Sequence, residues 1–150
     1  MSSAQMDKVQ AALDGESGLD GGLEWVQARK VLLVRLVGPI DGSSRAVEHA
    51  KAAVLAAGKG YTIEFEAVRY SRAELEALAD RLLPTQKEWA PRGISRASGG
   101  WDPHRNRVVL LVPDNTGDTE AWTERVNALQ DDRVVLEFYP PDPRGDFVLQ

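Results

Sequence analysis

Residues 62–82 read TIEFEAVRYSRAELEALADRL, and this stretch decides the fold class. Apolar and acidic residues alternate from Ile63 to Glu66, which is the period of a strand with one buried face. Beyond it, Ser71 and Glu74 have the spacing of a capping box, and an apolar stripe with helical period follows them. The stretch therefore predicts a half-buried strand that leads into a capped helix.

The chain after this stretch predicts a hairpin, a helix and a strand. Residues 94–101 and 107–112 are the predicted hairpin strands, joined by a turn in which Asn106 tolerates the left-handed backbone that returns the chain. Residues 118–129 carry a helical stripe, and residues 134–139 are apolar enough for a strand. The order strand, helix, strand, strand, helix, strand is that of the split βαβ, ferredoxin-like pattern.

The chain before residue 62 adds one more strand and helix. Residues 31–37 are almost continuously apolar, as in a strand covered on both faces, and residues 47–57 carry a helical stripe. We therefore predict an α+β fold with a ferredoxin-like βαββαβ sandwich core, preceded by an extra βα unit. The pattern does not decide at which edge the strand at 31–37 joins the sheet.

Glycines and prolines set the predicted domain limits. The glycine-rich run at 15–22 is typical of a linker, so residues 1–22 are expected to form a flexible N-terminal arm. Residues 23–150 are expected to form a single α+β domain. The prolines after residue 139 predict an extended tail from about residue 140.

Composition excludes several classes of function. The 150 residues contain no cysteine and only two distant histidines, so we expect no disulfide, no metal site and no cofactor. The net charge of −5 argues against a nucleic-acid partner. No apolar run approaches the roughly 20 residues that span a membrane. The polar start lacks a signal pattern, so a cytoplasmic location is expected.

Catalytic residue patterns are also missing. Serines and aspartates are plentiful, but no nucleophile-elbow motif occurs. His49 falls inside a predicted helix, and His104 falls in the predicted turn. Neither histidine has an evident nucleophile beside it, so the chain is predicted not to be an enzyme.

One part of the sequence resembles a known family. The stretch YSRAEL at 70–75 is followed at 99–110 by GGWDPHRNRVVL, and then by a predicted helix and strand. Together they resemble, over about residues 62–139, the C-terminal propeptide domain of serine peptidases of the alpha-lytic protease and streptogrisin type. The resemblance implies docking on a trypsin-like serine protease through the sheet surface and the last strand, as a folding chaperone and inhibitor.

Two alternative sites follow from these observations. Under the first interpretation, the chain is a protein-binding module, because tryptophan and arginine dominate interface hot spots. Under the second, it is a sensor for a small molecule or anion, bound by backbone amides, hydroxyls and an arginine in the 38–45 loop. The predicted partner-binding residues are Trp101, Asp102, His104, Arg105, Arg107 and Tyr139. The predicted ligand-binding residues of the alternative are Gly42, Ser43, Ser44 and Arg45.

Overall fold

The computed structural model describes residues 1–16, 18–92, 96–114 and 118–140. Its strands are β1 (Asp20–Val26), β2 (Val31–Val37), β3 (Thr62–Val68), β4 (Ser98–Asp102), β5 (Arg107–Pro113) and β6 (Val134–Tyr139). Its helices are α1 (Ser3–Asp14), α2 (Arg45–Ala57), α3 (Arg72–Leu82), α4 (Gln86–Trp89) and α5 (Asp118–Ala128). The α+β class is confirmed, and so is the element order from residue 62. The architecture is compatible with a ferredoxin-like α+β fold.

The described strands form two three-stranded mixed sheets, ordered β1-β2-β3 and β4-β5-β6. In the first sheet, β2 pairs with β1 antiparallel and with β3 parallel. The prediction that the strand at 31–37 lies at an edge is therefore wrong: it is the centre of its sheet, because β1, which was not predicted, pairs with it on the side away from β3. In the second sheet, β5 pairs with β4 antiparallel and with β6 parallel.

Contacts divide the chain into two units, Met1–Glu74 and Leu75–Gln150, where the sequence predicts one domain from residue 23. Each unit has its own buried apolar residues. Those of the first include Leu32, Val34, Val47 and Val54, and those of the second include Leu75, Leu78, Val108, Leu110 and Trp122. The predicted tail beyond residue 140 lies outside the described residues.

The N-terminal segment is part of the first unit's core. Helix α1 begins with a two-way capping box between Ser2 and Gln5. On its inner side Val9 and Leu13 are fully buried and belong to the same hydrophobic cluster as the residues of β2 and α2. The structure thus corrects the prediction of a flexible arm, because burying these two side chains holds the helix to the sheet.

The glycines that were interpreted as a linker belong to strand β1. Asp20 is buried and accepts hydrogen bonds from the Gly22 amide and from Gln10, at 2.8 Å each. A Cβ on Gly21 would lie 2.5 Å from Val68 Cγ2. Glycine is therefore required here by the close approach of β1 to its surroundings, and not by a need for flexibility.

The two units repeat one order of elements, helix, strand, strand, helix, strand, with the short α4 added in the second. Their hairpins share further details. Each has a four-residue turn, 27–30 and 103–106, whose last residue is left-handed, with φ of 54° at Lys30 and 53° at Asn106. The hairpin register therefore makes Trp25 equivalent to Trp101. Just before the last turn residue, Arg29 pairs with Glu64 of β3, and Arg105 pairs with Glu137 of β6.

Candidate functional site

The turn of the second hairpin is organised by one carboxylate. Asp102 Oδ1 accepts hydrogen bonds from the backbone amides of His104 and Arg105, at 2.9 and 3.3 Å. Asn106 closes the turn in the predicted left-handed conformation and is buried. Asp102 therefore shapes the turn, and the exposed His104 and Arg105 are the side chains that the turn presents to solvent.

The arginines of this hairpin are held by its own neighbours. Arg105 Nη1 lies 3.2 Å from Glu137 Oε2, and both side chains are nearly half exposed. Arg107 is half-buried and donates from Nη1 to the Asn106 carbonyl at 2.8 Å. The turn consequently presents an ion pair at its rim, where a partner could contact both signs of charge.

Strand β4 is an edge strand whose only described neighbour is β5. Two of its five residues are the glycines Gly99 and Gly100, with φ of 108° and 153°. A Cβ on Gly99 would lie 2.1 Å from the Val109 carbonyl oxygen, so no other residue fits. Next to them stands Trp101, which is half-buried. The edge thus presents bare backbone beside a large aromatic side chain.

Two open hollows share the residues Gly99, Gly100 and Trp101. The turn-side hollow has a volume of about 330 Å³ and also involves Asp102, Pro103, Val109, Leu111 and Glu137. The helix-side hollow has a volume of about 500 Å³ and is completed by Glu76, Ala79, Asp80 and Leu83 of the α3 segment. A strand added at this edge would find room for side chains on both of its faces.

Of the predicted partner-binding residues, Tyr139 is the least exposed to solvent. It ends β6 and is 8% exposed, and its carbonyl accepts from the Asp114 amide at 2.7 Å. Trp101, Asp102 and Arg107 are half-buried, while His104 and Arg105 are exposed. The structure therefore brings five of the six predicted residues together on the hairpin and leaves Tyr139 largely covered.

The 38–45 loop uses its polar groups internally. Ser44 caps α2 by accepting from the Val47 amide at 3.3 Å, and Asp41 accepts from the Ser43 amide at 3.0 Å. Hydrogen bonds from the Ser43 side chain and backbone hold the pKa of Asp41 below its usual value. An ionised carboxylate beside Gly42, whose φ is 97°, disfavours a bound anion at this loop. Arg45 is exposed at the start of the helix.

The acidic residues of the first sheet are engaged by arginines. Arg35, in the central strand, is 3% exposed, and its Nη2 lies 3.0 Å from Glu24 Oε1. Its Nε lies 3.8 Å from Glu66 Oε2, while Glu64 pairs with Arg29. These ion pairs bridge the three strands, and their arrangement is that of a structural network rather than of a general acid and base.

Sequence reasoning missed the residues that complete the hollows, Glu76, Asp80 and Glu137. Glu76 and Asp80 are four residues apart on α3, one turn of a helix, and this spacing was the available signal. Its meaning depended on knowing which strand lies opposite. Glu137 showed no signal, since a single acidic residue in a strand is usually solvated.

Comparison with known proteins assigns no family to this chain, and the described residues form no metal site. No family model matches the chain, and no curated protein matches it significantly. Among the described residues, no group of three or more histidine, cysteine or acidic side chains could hold a metal ion. No described helix combines the length and apolar character needed to cross a membrane.

Proposed function

We propose that this chain is a non-catalytic protein-binding module that docks a partner on the hairpin surface, defined as residues 98–107. The observation that carries the proposal is the β4 edge, where bare glycine backbone adjoins Trp101 between two hollows. Exposed strand edges pair readily with a strand of another protein. Backbone hydrogen bonds would then supply affinity, and the hollows would select side chains.

The internal repeat strengthens this choice of surface. The hairpin register makes Gly99 and Gly100 equivalent to Leu23 and Glu24 of the first unit. At those positions the first unit carries ordinary side chains, and Glu24 is bound to Arg35. The first hairpin has its own glycine pair, Gly21 and Gly22, but these residues are buried, whereas Gly99 is exposed and Gly100 is half-buried. This difference in exposure favours a role for the second edge beyond holding the sheet together.

The proposed partner is a trypsin-like serine protease. This part of the proposal rests on the resemblance of residues 62–139 to protease propeptides, whose sheet docks on the enzyme. Trp101 and the ion pair of Arg105 with Glu137 are the expected anchors, because tryptophan and arginine contribute most to interface affinity. The anion-sensor alternative has less support, because groups of the 38–45 loop already form internal hydrogen bonds. The Ser43 amide donates to Asp41, and the Ser44 hydroxyl accepts from the Val47 amide.

The test is direct binding of the full chain to a panel of bacterial trypsin-like serine proteases, measured by calorimetry. We expect Trp101→Ala with Arg105→Ala to weaken binding by at least about 30-fold, the effect of losing one strong hot spot. Trp25→Ala with Arg29→Ala is the matched control, because it removes the equivalent pair from the first hairpin. Circular dichroism of both variants checks that they fold.

The outcomes separate the parts of the proposal. Equal loss of affinity in both double variants would mean that the hairpin surface is not the contact. Unchanged affinity in the Trp101 and Arg105 variant would lead to the same conclusion. If no protease binds, the partner class is wrong.

A further inference from the structure

The helix-side hollow has a chemical character of its own. Its four α3-side residues, Glu76, Ala79, Asp80 and Leu83, have the i, i+3, i+4, i+7 spacing of one helix face. Opposite them lie the two glycines and Trp101 of β4. One wall is therefore acidic, another is aromatic, and between them lies backbone without side chains.

The charge of this hollow is of one sign. Its two ionisable lining residues, Glu76 and Asp80, are both acidic, and neither lysine nor arginine is among the described residues that line it. The described lining of the helix-side hollow is therefore acidic and complementary to a cationic side chain.

An aromatic wall beside carboxylates matches one kind of side chain. A guanidinium group stacks on an indole face and bonds carboxylates through its planar set of donors. Its apolar stem can lie along glycine backbone and along Ala79 and Leu83. A volume of about 500 Å³ leaves room for the whole side chain.

We propose that the partner strand that pairs with β4 directs an arginine side chain into the helix-side hollow, against Trp101 and between the carboxylates of Glu76 and Asp80. The inference rests on the proposed function and gives its partner a defined chemistry. No atom lies within 4 Å of the Cβ position of Gly100, so the partner backbone can approach there closely enough for this side chain to reach both walls. Because side chains alternate along a strand, the neighbouring partner residues face away from the hollow.

The test uses two peptides that differ in one group. The probe is the capped peptide acetyl-Val-Thr-Arg-Thr-Val-amide, and its control replaces arginine with citrulline, which has nearly the same shape and no charge. Each is titrated into the ¹⁵N-labelled full chain, and nuclear magnetic resonance follows the amides of Gly99 and Gly100 and the indole of Trp101. We expect the arginine peptide to shift these signals and to bind about tenfold more tightly than the citrulline peptide.

Variants identify the groups that select arginine. In Glu76→Gln with Asp80→Asn, the arginine and citrulline peptides should bind with about equal affinity. The amide spectrum of this variant should stay dispersed, as for a folded protein. Glu120→Gln with Glu124→Gln is the matched control: it removes two exposed carboxylates with the same spacing from α5 and should leave the preference unchanged.

Each contrary result has its own meaning. Equal shifts of the same signals by both peptides would overturn the arginine site while leaving the docking edge supported. A preference that survives the loss of both α3 carboxylates would also overturn it. If neither peptide moves the Gly99 and Gly100 amides, the β4 edge does not accept a strand, and the docking surface falls with the arginine site.

Discussion

Asp131 orders the loop that enters the last strand. Its carboxylate accepts from Nε of Arg133 at 2.8 Å and from Nη2 at 2.6 Å, and it also accepts from the Arg133 backbone amide at 3.0 Å. The two side chains are 21% and 25% exposed, so solvent screens the pair only in part. The side-chain hydrogen bond from Arg133 is the main reason why the pKa of Asp131 lies below its usual value.

This pKa predicts how stability depends on pH. The unfolded chain binds a proton at Asp131 near the ordinary pKa of 3.8, and the folded chain binds it only at lower pH. Stability from this pair is therefore complete above that value and is lost as pH falls through the folded pKa. We expect Asp131→Asn to lower the free energy of unfolding by about 1 kcal/mol at pH 7 and by less at pH 2.

Urea unfolding at both pH values measures this difference. Asp7→Asn, on the exposed side of α1, is the control and should change the free energy of unfolding little at either pH. A difference between wild type and Asp131→Asn that stays constant down to pH 2 would contradict the assignment.

Asn106 and Gly21 show where a residue's structural role can be predicted from the sequence and where it cannot. Asn106 was predicted to be left-handed from its place in a turn, and that prediction is confirmed. Gly21 was interpreted as linker, because a sequence does not reveal that Val68 lies 2.5 Å from the place of its missing Cβ. The same local pattern serves flexibility in one protein and close packing in another, and only the neighbours distinguish the two.

At the level of the element, β4 depends on Gly99. Alanine there would combine a φ of 108° with a Cβ 2.1 Å from the Val109 carbonyl oxygen. We expect Gly99→Ala to cost about 2 kcal/mol or more of unfolding free energy, measured by urea denaturation with far-ultraviolet circular dichroism. Gly15→Ala is the control, because φ at Gly15 is −72° and no atom lies within 4 Å of its Cβ position. Surface substitutions usually change the free energy of unfolding by less than about 0.5 kcal/mol. A loss below that value for Gly99→Ala would mean that the β4 backbone tolerates a side chain.

Most elements could be predicted from local pattern. Strands β2 and β6 have the predicted bounds, and Ser71 caps α3 by accepting from the Glu74 amide at 3.1 Å. Strand β1 was missed because Gly21 and Gly22 follow its first residue, Asp20, and only a short apolar stretch comes after them. The start of the predicted hairpin, at residues 94 and 95, lies outside the described residues.

At the scale of the whole molecule, the division into units predicts independent folding of the first. Residues 1–74 contain a complete set of helix, strand, strand, helix and strand with its own core. We expect this fragment to unfold cooperatively in urea, with a stability of a few kcal/mol, as is usual for a domain of this size. Trp25, in β1, is its only tryptophan, so the tryptophan fluorescence of the fragment reports on the surroundings of that strand.

A core substitution provides the control for this fragment. Leu13→Ala should abolish or strongly reduce the transition, because deleting a fully buried leucine costs roughly 2–5 kcal/mol. A fragment with the circular dichroism of an unfolded chain would show that the first unit needs the second.

The repeat of the two units could not be predicted from the sequence. Its equivalent residues, such as Trp25 with Trp101 and Arg29 with Arg105, stand among neighbours that differ, and they become evident only through the register of the two hairpins. The candidate site is similar in this respect. Its tryptophan and arginines were found from composition, whereas the hollows beside them required the tertiary structure.

The pairing of strands only with their neighbours in sequence has a consequence for biosynthesis. Each sheet is completed by one hairpin and one crossover through a helix, so each sheet is built from one continuous stretch of chain. The sheet of the first unit can therefore close once β3 has left the ribosome, before the strands of the hairpin surface have emerged.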